Sequence, residues 1–250
     1  LGGRGRCLQV TGRGRHRRGV DVVDVGGEST RPGAARVTPE QELNRVLPVI
    51  EALAGAGVRV SVDTMRASVA AAALEAGAVI VNDVSGGLAD PDMFPLVAST
   101  GAPYILMHWR GHSTDMMARA VYGDVVKDVI EELQARYDAA LAAGIAEEQV
   151  ILDPGLGFAK NAEHNWALLA HLEKLESLGR PLLIAASRKN FLGRLLPDGS
   201  GEPRPPHGRD AATTALSGLV AAAGVWGVRA HDAMGSLDAV RVAAALAAAR

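Results

Sequence analysis

From position 20 onward, short apolar runs rich in β-branched residues alternate with longer stretches whose apolar positions recur at helical spacing. The runs are Asp21–Gly27, Val58–Thr64, Val79–Asp83, Tyr104–His108, Val150–Gly155, Leu182–Ser187 and Val225–Asp232. Most are nearly continuous in apolar residues, the pattern of strands buried on both faces of a parallel sheet. The spacing predicts helices from Thr38 and over about 66–76, 91–100, 123–143, 162–178, 208–223 and 236–249. The first has a complete start signal: Thr38 at the N-cap, Pro39 at N1 and Gln41 at N3 for a capping box. Gly57, Gly77, Gly101, Gly144 and Gly179 follow helical runs, where a left-handed residue closes the last turn.

Strands alternating with helices imply an α/β fold with a parallel sheet. Seven strand–helix units are visible, and the only candidate for an eighth strand is the patch Cys7–Val10. The choice lies between an open doubly wound sheet and a TIM (β/α)8 barrel. Chemically capable groups stand at nearly every run's end: Glu28, Asp63, Asn82 with Asp83, His108, Asp153, Ser187–Lys189, and Arg229 with His231. A barrel brings all those ends to one mouth, whereas an open sheet strings them along an edge. The barrel is the expectation, with its first strand and first helix atypical or missing.

Composition narrows the function classes. The chain has 250 residues, 48% hydrophobic and 22% charged, an ordinary globular balance at a size natural for one barrel. Its 26 basic and 28 acidic residues leave a net charge of −2, which gives no electrostatic case for nucleic acid. A single cysteine, Cys7, excludes an intrachain disulfide and a multi-cysteine zinc site. No apolar run is long enough to span a membrane, and residues 1–19 lack the apolar block of a secretory signal. The expectation is a soluble, cytoplasmic protein. Residues 1–19 stand apart: six Arg, six Gly and no acid give them +6, so residues 20–250 carry −8. They divide the chain into an atypical Gly/Arg-rich segment, 1–19, and a barrel domain, 20–250. A basic arm for phosphate or nucleic acid is one reading of that segment; a disordered or altered start is preferred.

The strand-end constellations carry the chemistry. Gly26–Gly33 is a Gly/Pro turn whose Thr30 and Arg31 suit a polar or anionic ligand. Asp63 can accept two hydrogen bonds from an amino-heterocycle, or cap the next helix. Asn82 offers a donor and an acceptor to a ring edge, and Asp83 reads as its buried structural neighbour. Met107 suits the face of a flat ring, although barrel packing explains it nearly as well. Asp153 is followed by the turn Pro154–Gly155, then by Phe158 and Lys160 on one loop. Ser187-Arg188-Lys189 is the strongest single signal, since adjacent buried cations need an anion or carbonyls, and Asn190 then begins a helix. Arg229 and His231, two apart, share a face and can meet one pyrophosphate; a metal role for His231 lacks companion ligands.

Together Gly26–Gly33, Ser61–Thr64, Val81–Ser85, Met107–His108, Asp153–Lys160, Ser187–Lys189 and Arg229–Asp232 resemble the dihydropteroate synthases in order and spacing across about residues 20–250. The resemblance implies a usually dimeric TIM barrel and a target of sulfonamides. The implied reaction joins 6-hydroxymethyl-7,8-dihydropterin pyrophosphate to p-aminobenzoate in folate biosynthesis, giving dihydropteroate and pyrophosphate. It implies that Asp63, Asn82, Asp153 and Lys189 hold the pterin edges with Met107 against the ring, and that Arg229 and His231 bind pyrophosphate. It assigns the aminobenzoate pocket to Thr30, Arg31, Pro32, Phe158, Lys160, Ser187 and Asn190. Catalysis would rest on Asp63, Asp153, Lys189, Arg229 and His231. It implies Mg²⁺ as cofactor, two small-molecule substrates, a homodimer, and neither nucleic acid nor membrane as partner. One departure stands out. The family's first strand normally leads into a segment reading roughly Asn-Val-Thr-Pro-Asp-Ser-Phe-Ser-Asp-Gly-Gly, whose Asn is tied to the metal. Residues 1–19 replace it, so impaired activity is expected. The alternatives are a non-catalytic pterin-binding paralogue and a pterin-dependent methyltransferase barrel.

Overall fold

A computed structural model of the chain describes residues 6–11, 20–31, 33–112, 116–197 and 199–249, with 6–11 described as backbone only. Eight parallel strands make one sheet: β1 (Arg6–Thr11), β2 (Val22–Gly26), β3 (Val60–Asp63), β4 (Ile80–Asp83), β5 (Tyr104–Met107), β6 (Val150–Asp153), β7 (Leu183–Ile184) and β8 (Gly227–Ala230). The order is β6-β5-β4-β3-β2-β1-β8-β7. The sheet's two ends meet through a parallel bridge between Leu152 and Leu182, where the Leu152 N–H donates to the Pro181 carbonyl at 2.8 Å. The architecture is the TIM barrel expected from the alternation.

The apolar patch at Cys7–Val10 lies within β1, which fills the place between β2 and β8. The described residues between β1 and β2, Val20 and Asp21, are not helical. The helices are α1 (Pro39–Gly55), α2 (Ala67–Glu75), α3 (Met93–Thr100), α4 (Val125–Ala142), α5 (Ala162–Ala170), α6 (Leu172–Glu176), α7 (Asn190–Leu195), α8 (Asp210–Ala222) and α9 (Ala233–Ala248). The stretch 162–178 is thus two helices, because the backbone at His171 leaves the helical region (φ −127°, ψ 42°). Thr38 caps α1, accepting from the Gln41 N–H at 3.2 Å while the Gln41 side chain accepts from the Thr38 N–H at 3.1 Å. Such a cap contributes about 1 kcal/mol. The five glycines expected after helices all adopt positive φ. No helix among the described residues is long and apolar enough to cross a membrane.

Two apolar layers make the core. The outer one lies between strands and helices and includes Val23, Val25, Val81, Leu106, Leu152, Ile50, Val69, Leu133 and Leu168. The inner one fills the barrel floor with Val22, Ile80, Ile105, Ile151 and Leu183. Strand side chains alternate between faces. The residue two positions after each floor residue therefore also points inward, one layer nearer the mouth. That rule places Asp24 above Val22, Asn82 above Ile80, Met107 above Ile105 and Asp153 above Ile151.

Candidate active site

The layer above the apolar floor holds the polar strand residues. Gly26, Asp63 and Asn82 are neighbours in register across β2, β3 and β4, and Met107 is level with Asp153 across β5 and β6. Asp24 is buried among them. Its Oδ2 accepts from Asn82 Nδ2 at 3.1 Å and from Arg229 Nη1 at 2.8 Å. Arg229 Nη1 also lies 3.5 Å from Asp63 Oδ2. Asp24 therefore ties together two groups that the sequence reading singled out, although it was not itself singled out. Burial first, and the Asp24 charge second, push the Asp63 carboxyl up to about 7, against the pull of Arg229. Burial disfavours the charged Arg229 guanidinium, but the surrounding carboxylates of Asp24, Asp63 and Asp153 outweigh it and hold it well above its ordinary value.

Asp83, beside this layer, is structural, as expected. It accepts from Ser85 and Tyr104 hydroxyls, both at 2.7 Å, and from two backbone N–H groups. Met107 is buried in a small cluster with Met65 and Val84, and Trp109 and Phe158 pack against it. Asp153 Oδ1 accepts from the Gly155 N–H at 2.7 Å, which shapes the turn after β6. Gly155 has φ +66°, and a Cβ there would collide with the His108 carbonyl, so only glycine fits.

Lys189 is bonded to the Leu156 carbonyl, and its ammonium lies 4.8 Å from the Phe158 ring centroid. Burial draws its pKa down to about 7, against the opposing effect of Asp153. Two residues earlier, the Ser187 hydroxyl is 2.8 Å from His231 Nδ1 and accepts from the His231 N–H at 3.1 Å. The hydroxyl can donate to Nδ1, and in that tautomer the ring proton is on Nε2. Burial and then the Arg188, Arg31 and Arg229 charges lower His231 to about 4. At neutral pH it is an uncharged hydrogen-bond donor.

Arg188, at φ +57°, turns away to Asp210, which accepts from its Nε at 2.7 Å and its Nη2 at 2.8 Å. Of these two adjacent basic residues, it is therefore Lys189 that serves the mouth. Lys189 is also the N-cap of α7, so Asn190 sits in the first turn, exposed, rather than capping it.

Two loops form the rest of the rim. Thr30 and Phe158 line one cleft with Met65, Val84 and Trp109. The loop carrying Thr30 and Arg31 is pinned by Arg66, whose guanidinium bridges Glu28 and buried Glu42 and donates to the Val37 carbonyl at 2.7 Å. Pro32, assigned to the aminobenzoate pocket, lies outside the described residues. Lys160 is on the Phe158 loop, but its ammonium is buried and meets His108 Nδ1 at 2.9 Å and the Gly155 and Phe158 carbonyls at 3.2 and 3.1 Å. Sequence reasoning also missed what lies behind it: Glu132, which tertiary folding brings to His108, and Arg110, two residues beyond His108, which binds Glu132.

Among the described residues no three His, Cys, Asp or Glu side chains form a metal-binding group. The nearest acids at the mouth are engaged: Asp24 and Asp63 with Arg229, Asp153 with Gly155. Magnesium requires hard oxygen ligands. The stretch Gly12–Gly19, which follows β1, contains no Asp, Asn, Glu or Gln. Within residues 1–19 only Gln9, on β1, carries an amide or acid oxygen, so the residues present do not fit the Asn- and Asp-bearing metal site that the resemblance implies.

A family model for pterin binding enzymes matches residues 11–231. The dihydropteroate synthase of Mycobacterium leprae is 54% identical over 228 residues, covering 91% of this chain and 80% of that protein. The Yersinia pestis dihydropteroate synthase in complex with a sulfonamide drug superposes with a TM-score of 0.90 at 35% identity, covering 98% of this chain and 95% of that one. A Xanthomonas albilineans dihydropteroate synthase in complex with 7,8-dihydropteroate gives a TM-score of 0.85 at 35% identity, covering 98% and 94%. A barrel whose polar layer unites Asp63, Asn82, Asp153 and Arg229 above an apolar floor, and whose sequence agrees this closely along most of its length, belongs to the pterin binding enzyme family, among the dihydropteroate synthases.

Proposed function

We propose that the mouth of this barrel condenses 6-hydroxymethyl-7,8-dihydropterin pyrophosphate with p-aminobenzoate. The observation that carries this reading is the bond set Asn82–Asp24–Arg229–Asp63, which joins a ring-edge binding group to a cation suited to a leaving anion. The product held by the Xanthomonas albilineans relative contains both halves of the molecule to be formed.

In this reading Asp63, Asn82, Asp153 and Lys189 hold the pterin edges, and Met107 lies against the ring. The bond between the pterin methylene carbon and the pyrophosphate oxygen breaks, and the ring delocalises the positive charge left on carbon. The carboxylates of Asp63 and Asp153 favour that charge. Arg229 as a cation and His231 as a neutral Nε2–H donor stabilise the departing anion, a preorganised effect that needs no rearrangement during the step. The amine nitrogen then bonds to the methylene carbon and gives up a proton to solvent or pyrophosphate. Thr30, Arg31, Pro32, Phe158, Ser187 and Asn190 surround the aminobenzoate. Lys160 contributes from below.

The family is in general magnesium-dependent. Because this chain's residues do not fit such a site, no step here runs through the metal. A homodimer is part of the reading: Leu219 on α8, and Val242 with Leu246 one turn apart on α9, are exposed on two helices that pack together. So is a cytoplasmic location. A non-catalytic pterin binder is the second reading, favoured by the composition of Gly12–Gly19.

Two groups titrating near neutrality supply a test. Asp63 is raised to about 7, so its acceptor carboxylate is lost as pH falls below that value. Lys189 is lowered to about 7, so its donor ammonium is lost as pH rises above it. Aminobenzoate-dependent pyrophosphate release should give a narrow bell in kcat/KM between about pH 5 and pH 9, centred near 7. Asp63→Asn should flatten the acid limb. A level profile across that range would contradict the assignment, and pterin binding with no release at any pH would favour the non-catalytic reading.

A further inference from the structure

Lys160 is buried to 3% exposure, and its three hydrogen-bond partners are all neutral: His108 Nδ1 and the carbonyls of Gly155 and Phe158. A buried ammonium bonded to no carboxylate is costly. What it gains is a hold on the turn after β6 at two points, one on either side of Leu156 and Gly157.

His108 extends this hold outward. Its ring is buried, and Nε2 lies 2.9 Å from Glu132 Oε2. A carboxylate accepts only, so Nε2 carries the proton and Nδ1 is left to accept from the ammonium. Burial and the Lys160 charge lower His108 to about 4, which agrees with a neutral ring. Glu132 is itself gripped by Arg110 Nε at 3.0 and 3.1 Å, and the Arg110 guanidinium stacks 3.8 Å from the Tyr122 ring centroid. A continuous chain thus runs from α4 through Glu132, His108 and Lys160 to the backbone that presents Phe158.

We propose that His108 and Lys160 are positioning residues that fix the Gly155–Phe158 turn, so that Phe158 forms the wall of the aminobenzoate pocket without either residue touching substrate. This rests on the synthase reading for the identity of the pocket, but the geometry of the turn can be tested without it. Lys160→Met keeps the buried stem and removes the donor. His108→Asn keeps an acceptor near the Nδ1 position, whereas His108→Leu removes it.

In Lys160→Met and His108→Leu, KM for p-aminobenzoate should rise about tenfold or more, while Kd for a pterin analogue moves less than about twofold. Chymotrypsin should cut after Phe158 about tenfold faster in both. His108→Asn should stay within about threefold of wild type on all three measurements. Folded Lys160→Met with unchanged KM and unchanged cleavage overturns the proposal, as does a parallel rise in KM and pterin Kd, which marks general loss of structure. If Lys160→Met does not fold, the two His108 variants decide, and identical behaviour of Asn and Leu overturns it. Wild type without aminobenzoate-dependent turnover would instead sink the synthase reading, leaving the chymotrypsin comparison to judge the turn.

Discussion

Asp153→Ala is expected to weaken binding of a dihydropterin analogue by about 2–5 kcal/mol, the usual cost of truncating a buried, hydrogen-bonded charge beside a ligand. The corresponding loss is about 30-fold at its smallest. Asp153 sits in the inward layer directly above Ile151, level with Met107, and is 1% exposed. Its second duty, accepting from the Gly155 N–H, complicates the alanine variant. Asp153→Asn separates the two roles, because an amide oxygen still accepts from Gly155 while the negative charge is gone. The asparagine variant should keep wild-type stability in urea yet lose most of the affinity by calorimetry. Equal affinity in wild type and both variants would remove Asp153 from the pterin site.

The second large effect concerns Gly12–Gly19. Because that stretch offers four Arg and one His but no oxygen ligand from an acid or amide, turnover should be far below that of a relative with the usual segment. Neutralising a leaving phosphate with a metal is worth several kcal/mol. At 1.36 kcal/mol per tenfold, replacing residues 1–19 by a family segment that carries Asn and Asp should raise kcat by roughly 100-fold or more. Pterin affinity should change little, since Asp63, Asn82, Asp153 and Lys189 all lie elsewhere. Comparable rates in the two chains would show that Arg229 and His231 suffice for the leaving group.

The barrel was legible because apolar runs and helical spacing alternate so regularly, and because strand ends carry the chemistry. The patch at Cys7–Val10 could be placed as β1 only by elimination, since nothing in its charged, glycine-rich surroundings specifies a strand. Asp24 escaped notice for a different reason. The polar residues that pattern makes conspicuous stand at the ends of runs, yet Asp24 lies inside one, with its charge hidden until Asn82 and Arg229 arrive from distant positions. Lys160 shows the same limit: the sequence puts it on the Phe158 loop but cannot say that it points inward. The run Leu182–Ser187 yields only the two-residue strand β7, because the chain leaves the sheet early to present Ser187 and Lys189. Local pattern encodes which elements form; partnership across strands is a property of the closed barrel.

The circle of backbone pairing is thinnest where β6 meets β7. Every other junction has a ladder of two to four paired positions, whereas this one has the single Leu152–Leu182 bridge. Local opening is cheapest where the fewest protected amides must be released. Asp153 ends one side of this seam and Lys189 lies shortly beyond the other, so a pterin gripped by both would bridge it as an external clasp. Ligand would then slow exchange of the Leu152 amide, which donates across this seam, more than at the well-laddered β2–β3 junction, and uniform protection around the barrel would argue against such a clasp. A site laid across the weakest joint makes substrate part of the barrel's own closure.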